Sequence, residues 1–489
     1  MSSPLPPGER RRSSVIWWQA AFWVPGLLLL LVLVGSFVFW RVNNVRKIRK
    51  EEAAIQQRGE PLTLEDLARN YGDIPEAENA AVLMLDLWES EAPEFWRAFR
   101  NGERKLPERP ATQYDPAVPL VGSQARRVPR DQPLSAEAKS AAESLMAEKA
   151  THREAVRAAL LRPKSRFPLR WGDGYSTLLP HLAVIKGEAQ LLQLESVLAT
   201  DQGEVSKALK ALENLSRLTG LLADEPILIS QLVRISSGQM LLDGLERLMN
   251  QASLSASQLR QVEAMLQPLD LQKALSKTLQ TERVLGQTVF NLPPAALAAM
   301  ANEDQQQSED SAASAEGIRI GIRFMRYSGI ADVDRRFMLE TLGQAIEWSE
   351  EGTPESLRRT EELIEGVPRE AKRFPPKIFS RMLLPSLSKA ATRFAQFEAR
   401  RRAALTALAI EGYRLEHGGQ LPESLADLPS APAAELRLDP FDGKPLRFGK
   451  RPKGFVVYSV GLDRTDEGGR EKPVKSPVGS FDVTFFVER

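Results

Sequence analysis

The stretch VIWWQAAFWVPGLLLLLVLVGSFVFW, Val15 to Trp40, decides how the rest of the chain is read. It runs for 26 residues without a charged side chain. As a helix rising 1.5 Å per residue it would be about 39 Å long, more than the roughly 30 Å hydrocarbon core of a bilayer. Trp17, Trp18 and Trp23 stand at one end and Phe37, Phe39 and Trp40 at the other, as rings do at a membrane–water boundary. Pro25-Gly26 predicts a bend or local unwinding, which a spanning helix tolerates. A buried core helix rarely runs so far without a polar face. The expectation is a transmembrane helix over 15–40 behind a short N-terminal tail, 1–14.

A cleaved signal peptide is the competing reading. Arg10-Arg11-Arg12 suits its basic region, Leu27 to Val34 its apolar region, and Val34-Gly35-Ser36 is a poor small-residue cleavage site. The apolar run continues through Trp40, past where a cleavable signal ends, so an uncleaved single-pass anchor is expected. Three cations precede the segment (Arg10, Arg11, Arg12) and five follow closely (Arg41, Arg46, Lys47, Arg49, Lys50), which by charge alone puts the C-terminal part inside. Long domains cross largely regardless of charge, so the count does not decide orientation.

The remainder is comparatively polar. Charged residues make up 26 % and the formal net charge is +1, so no overall field points to nucleic acid. The absence of cysteine excludes disulfides, thiolate catalysis, zinc ribbons and iron–sulfur ligation. Only His152, His181 and His417 are available for imidazole chemistry.

Residues 41–58 form a basic juxtamembrane segment, expected to carry the anchor helix into water or to meet anionic headgroups. A mainly helical body follows over 60–400. Thr63 with Asp66 three residues on is a helix start, and Phe95, Trp96 and Phe99 read as packing material. Residues 101–133 carry six prolines and no sustained period, and predict an irregular crossover. Leu178, Leu182, Ile185, Ala189 and Leu192 recur at helical spacing, as do Val205, Leu209, Leu212, Leu215, Leu218 and Leu222. Breaks at Asp201-Gln202-Gly203 and Asp224-Glu225-Pro226 predict helical hairpins, in a bundle or a solenoid-like array. No 34-residue repeat of tetratricopeptide type is present. Residues 302–316 are acidic and lack bulky apolar groups, predicting a mobile loop. A long helix is expected from about Pro385 to Glu416, closed by Gly418-Gly419.

The motifs offer little chemistry. Ser386-Leu387-Ser388-Lys389 has the S-x-x-K spacing of penicillin-binding enzymes without its companion elements. Gly172-Asp173-Gly174-Tyr175-Ser176 is turn chemistry, neither phosphate loop nor nucleophile elbow. If the chain is an enzyme, a site in the body near Trp171, Tyr175 and His181 is the place for it. No catalytic constellation is legible, and a non-enzymatic role is the expectation.

After the long helix, Arg447 to Gly449, Gly454 to Val460 and Asp482 to Val487 alternate or run apolar, separated by turns at Asp442-Gly443-Lys444-Pro445 and Pro452-Lys453-Gly454. They predict a small α+β domain over 401–489, a helix laid on an antiparallel sheet. This part resembles the globular head of the major pseudopilin of type II secretion systems. The matching order is Tyr413-Arg414-Leu415, Gly418-Gly419, Leu421-Pro422, Asp439-Pro440-Phe441-Asp442-Gly443-Lys444-Pro445, Tyr458-Ser459-Val460-Gly461-Leu462-Asp463, Gly468-Gly469 and Asp482-Val483. The whole chain is similar to uncharacterised membrane-anchored bacterial proteins that carry such a module after a helical body.

The resemblance implies an extracytoplasmic body with a cytoplasmic N-terminus, a protein partner in the cell envelope, and a link to a secretion or pilus-like assembly. It also implies a calcium site in the loop after Tyr458-Ser459, with Val460 at the carbonyl position and Asp463 at the first aspartate. Arg470-Glu471-Lys472 replaces the later acidic residues, leaving Asp466 and Glu467 as substitutes, and an unmetallated acidic turn is the other reading. The G-F-x-x-x-E processing motif of pseudopilins is absent before the anchor, so filament assembly does not carry over. The expectation is a membrane-anchored scaffold or interaction protein.

Overall fold

The computed structural model describes residues 10–109, 112–122, 126, 128–297, 311–373, 375–428, 437–471 and 481–489. These are mainly helical, with one three-stranded antiparallel sheet towards the C-terminus. Arg10–Gln57 is one helix, α1, which runs through Pro25 without a break. The local unwinding expected at Pro25-Gly26 does not occur. Proline removes a single backbone donor, and the leucine run that follows keeps the ladder going. Leu27 to Phe39 are exposed wherever they are apolar. Among the described residues α1 is the one helix long and apolar enough to cross a bilayer, a test of length and composition that a signal sequence also meets.

The juxtamembrane part of α1 does more than continue into water. Asn44, Ile48 and Ile55 recur on one face and are buried, the two isoleucines 4 % and 2 % exposed. Ile48 and Ile55 meet Leu339 and Leu62, and Glu52 accepts a hydrogen bond from Arg335 at 2.7 Å. The basic residues Arg46, Lys47, Arg49 and Lys50 thus lie around an apolar stripe that docks the helix on the body.

In the body come α2 (Leu64–Tyr71), α3 (Ala80–Glu91), α4 (Pro93–Arg100), α5 (Ala136–Glu148) and α6 (Ala150–Ala159). Thr63 caps α2 through Asp66 as its sequence predicts. Trp88, Trp96 and Phe167 stack in the core beside Phe99. The proline-rich crossover is irregular, and its Val118, Leu120 and Val121 are buried against α5 and the helix α7 (His181–Asp201). α7, α8 (Val205–Gly220) and α9 (Leu228–Gln251) each pack on the other two. That makes a closed three-helix unit, with Leu212, Leu215, Leu218, Leu222, Leu242 and Leu248 fully buried. Leu178 of the expected stripe precedes α7 and is exposed.

α10 (Ala256–Leu266) and α11 (Gln272–Val289) lead to α12 (Ser311–Ser328), α13 (Ile330–Glu351), α14 (Pro354–Glu370) and the long α15 (Ile378–Glu416). The acidic loop expected to reach residue 316 gives way to helix at Ser311, where Ala312, Ala313 and Ala315 favour it; residues 302–310 lie outside the described residues. α15 begins seven residues before Pro385. Its opening is capped from another element: the Asp334 carboxylate of α13 accepts from the N–H groups of Phe379 at 2.8 Å and Ser380 at 3.1 Å.

The sheet is β1 (Arg447–Arg451), β2 (Gly454–Ser459) and β3 (Val483–Glu488), in that spatial order. One face lies on α15, and β3 reaches α9. Phe455, Val457, Phe485 and Val487 share one continuous apolar core with Ala403, Ala407 and Leu408 of α15 and with the leucines of α8 and α9. The small sheet is built into the body rather than carried beside it.

Candidate functional site

Four elements and one loop enclose a groove. α13 ends at Gly352, whose φ of +62° reverses the chain. Thr353 then caps α14 reciprocally with Ser356, each side-chain oxygen taking the other's backbone N–H at 3.0–3.1 Å. This sharp turn sets Trp348 of α13 beside Leu357 and Thr360 of α14. From α15, Ala391, Phe394, Ala395, Glu398 and Arg402 follow one face at spacings of three and four, and Leu271 and Leu275 close the far wall. Pro440, in the loop before β1, forms the rim. The volume, open mouth included, is about 650 Å³.

The groove's polar groups are largely spoken for. Ser356 donates to the Thr353 carbonyl at 2.8 Å and Thr360 to that of Ser356 at 2.9 Å. Glu398 accepts from Arg402 Nε at 2.7 Å and from Arg401 at 2.8 and 2.9 Å. Arg402 Nη1 donates on to the Leu438 carbonyl at 2.8 Å. What remains towards the opening is mostly apolar wall with one anchored ion pair at its edge, the chemistry of a binding groove for an apolar group. The small Ala391 and Ala395 make the space. Their helical spacing alone does not distinguish such a stripe from ordinary packing, so the groove is not legible in the sequence.

The residues expected around an enzymatic site separate into three apolar clusters. Trp171 packs with Leu67, Ile227 and Val284, and Tyr175 lies against the cluster of Val289 and Met338. His181 is fully buried and stacks on Phe167 with 4.4 Å between ring centroids. Its Nε2 faces both Glu225 oxygens at 3.1 Å, and a carboxylate only accepts, so that nitrogen carries the proton. Ser230 donates to the same carboxylate. The acid therefore stands between imidazole and hydroxyl, and the histidine does not touch the serine as a base must. Ser386 is likewise occupied, donating to the Leu383 carbonyl at 2.7 Å within α15.

His152, unremarkable in the sequence, bridges two carboxylates, Glu91 at 2.7 Å and Glu188 at 2.8 Å. Burial opposes its charge, yet the hydrogen bonds it donates to Glu188 and Glu91 prevail and push its pKa up to about 10. With both ring nitrogens engaged it is an ionic strut between α3, α6 and α7. Glu282 of α11 is also buried. Burial raises its pKa to about 7 against a single opposing hydrogen bond, from the Leu228 N–H at 3.1 Å.

The loop residues expected to hold calcium, Val460, Asp463 and Asp466, each take hydrogen-bond partners within the protein. Val460 is buried and its N–H donates to Asp439 at 2.9 Å. Asp463 accepts from the Thr465 N–H at 3.1 Å, an Asx turn. Asp466 accepts from Tyr458 at 3.0 Å and the Gly468 N–H at 2.9 Å, and faces Arg447 at 4.0 Å. Calcium takes six to eight oxygens; among the described residues no three His, Asp or Glu are grouped to hold a metal. The loop is held together by Asp439, nearly fully buried, which accepts from Phe441 N–H, Ser459 Oγ, Val460 N–H and Arg447 at 2.8–2.9 Å. It ties the Asp-Pro-Phe-Asp-Gly turn to the end of β2, a role for that motif which needs no metal. Comparison of the chain with family models, with curated proteins and with solved structures finds no match, so what can be said of its function comes from this geometry.

Proposed function

We propose that the chain is a membrane-anchored, non-enzymatic interaction protein of the bacterial cell envelope, whose helical body holds an apolar segment of a protein partner in the groove between α13, α14 and α15. The observation that carries this reading is the union of anchor and body. One helix offers an exposed apolar length suited to a bilayer, and its last turns are packed into the body through Ile48 and Ile55. Docking of this kind supports an uncleaved anchor over a signal sequence, since removal of residues before Ser36 would leave a stem with nothing to hold. The groove supports binding over catalysis, because its charged pair is satisfied within the protein.

The resemblance of residues 401–489 to a pseudopilin head supports an extracytoplasmic body and a place beside a secretion or pilus-like assembly. A topology reporter fused after Arg489 tests that orientation. The groove is tested by a photo-crosslinking amino acid at Leu357 in cells. A discrete adduct that disappears when Ala395→Trp fills the groove supports the reading. No adduct, or one indifferent to Ala395→Trp, removes it.

A further inference from the structure

Beside the point where α1 meets the body, α12 presents an apolar face that no described residue covers. Ile320, Phe324 and Tyr327 are 58 %, 64 % and 79 % exposed and follow one side of the helix at spacings of four and three. The opposite side is seated: Ile322 and Met325 are buried in the core with Phe290 and Leu297. The helix is therefore fixed, and its large rings face outward by construction. Arg319 and Arg323 lie on the same helix.

Its position gives the face an occupant. α12 ends at Gly329, where φ is +77° and a Cβ would come within 3.3 Å of the Trp40 ring. Arg41 donates to the Tyr327 carbonyl at 2.9 Å and pairs with Asp332 at 3.9 Å. Trp40 and Arg41 are where α1 changes from exposed apolar residues to a docked stem, which is where the hydrocarbon core of a bilayer would end. The start of α15, held by Asp334 two residues beyond Asp332, exposes Ile378 and Met382 at 51 % and 47 %.

We infer that α12 is an interfacial helix, laid against the surface of the same bilayer that α1 crosses, with Phe324 and Tyr327 among the acyl–headgroup boundary and its arginines on anionic headgroups. An apolar face of this kind, flanking an anchor and rimmed by cations, suits a lipid surface better than solvent. The inference rests on the membrane-spanning reading of α1.

The absence of cysteine makes the test direct. Full-length protein is given a single bimane at Phe324→Cys, Leu31→Cys or Ser257→Cys and placed one copy per nanodisc. The discs contain phosphatidylcholine alone or mixed with phosphatidylglycerol. Leu31 reports the spanning segment, and Ser257, exposed on α10, reports water. The expected result is loss of iodide quenching at both Leu31 and Phe324, quenching there by doxyl lipid, and the reverse at Ser257. Shielding at Phe324 should be greater with phosphatidylglycerol, and Arg319→Glu with Arg323→Glu should abolish that difference. Iodide reaching Phe324 in both discs while Leu31 stays shielded overturns the proposal and leaves the anchor standing. Shielding of Phe324 only in discs loaded with two copies assigns the face to a second chain and overturns it too. Iodide reaching Leu31 overturns the spanning reading and this inference together.

Discussion

Asn250, near the end of α9, occupies the place of a fourth strand beside Phe486. Its side-chain amide donates to the Phe486 carbonyl at 2.8 Å, and its oxygen accepts from the Glu488 N–H at 2.7 Å. One turn earlier Glu246 accepts from the Phe486 N–H at 2.7 Å. A free sheet edge is an invitation to pair with another chain, and here two side chains of a helix close it. Asn250→Ala leaves a buried carbonyl and a half-buried N–H unpaired, the carbonyl alone costing about 1–3 kcal/mol. The expected result is a lower thermal midpoint and faster amide exchange at Glu488, with exchange in α2 and α3 unchanged.

The Asp334 cap on α15 predicts a local effect. Asp334→Ala should cost about 1–2 kcal/mol, as loss of a helix cap does. Hydrogen exchange should rise over Phe379 to Leu384, moving the start of the helix towards Pro385. Exchange along Ala403 to Ile410, which is held by the sheet, should not change.

His152 predicts a dependence on alkaline pH. Its folded pKa of about 10 lies above the ordinary histidine value of 6.5. The native state therefore holds the proton more tightly, and the stabilisation is complete below about pH 6.5 and lost as pH rises through about 10. Urea unfolding midpoints should fall between pH 7 and pH 10 in the parent chain. In His152→Gln that slope should be shallower.

Glu282 is the counterpart on a carboxylate. Its folded pKa of about 7 exceeds the ordinary 4.5, so its contribution is fully present below 4.5 and is lost as pH rises through 7. At pH 8 the native state holds a buried charge whose cost, from the size of the shift, is about 3 kcal/mol. Glu282→Gln keeps an oxygen for the Leu228 N–H and removes the charge. It should stabilise the protein at pH 8 and leave it nearly unchanged at pH 4.

The docked stem is tested at Ile55. Ile55→Ala should cost about 2–4 kcal/mol by leaving a cavity against Leu339. Ile48→Asp with Ile55→Asp should free the stem, seen as trypsin cleavage at Arg49 or Lys50 under conditions that leave the parent chain intact.

Where a local pattern carries the structure, the sequence is readable. The strands at Arg447, Gly454 and Val483 begin within a residue of where alternation and turn residues put them. Thr63 with Asp66 and the breaks around Gly203 and Pro226 are equally local, and so are the helices they bound. What escapes reading depends on partners distant in sequence. The start of α15 is fixed by Asp334, 45 residues away. Asp439 enters the sequence reading only as one letter of a matched motif, and its weight comes from Val460 and Ser459 across the loop. Ala391 and Ala395 become a groove only once α13 and α14 stand opposite them. Ile48 and Ile55, set among cations, read as a solvated stem until Leu339 is known to face them.

The unbroken course of α1 from Arg10 to Gln57 has a mechanical consequence. At 1.5 Å per residue its 48 residues make a rod of about 72 Å, and no joint separates the oily length from the turns seated on α13. In a bilayer such a body has no swivel: it leans when its mast leans and turns when its mast turns. Any change in membrane thickness that alters the lean of the mast would be read out, as by a lever, in where the groove points.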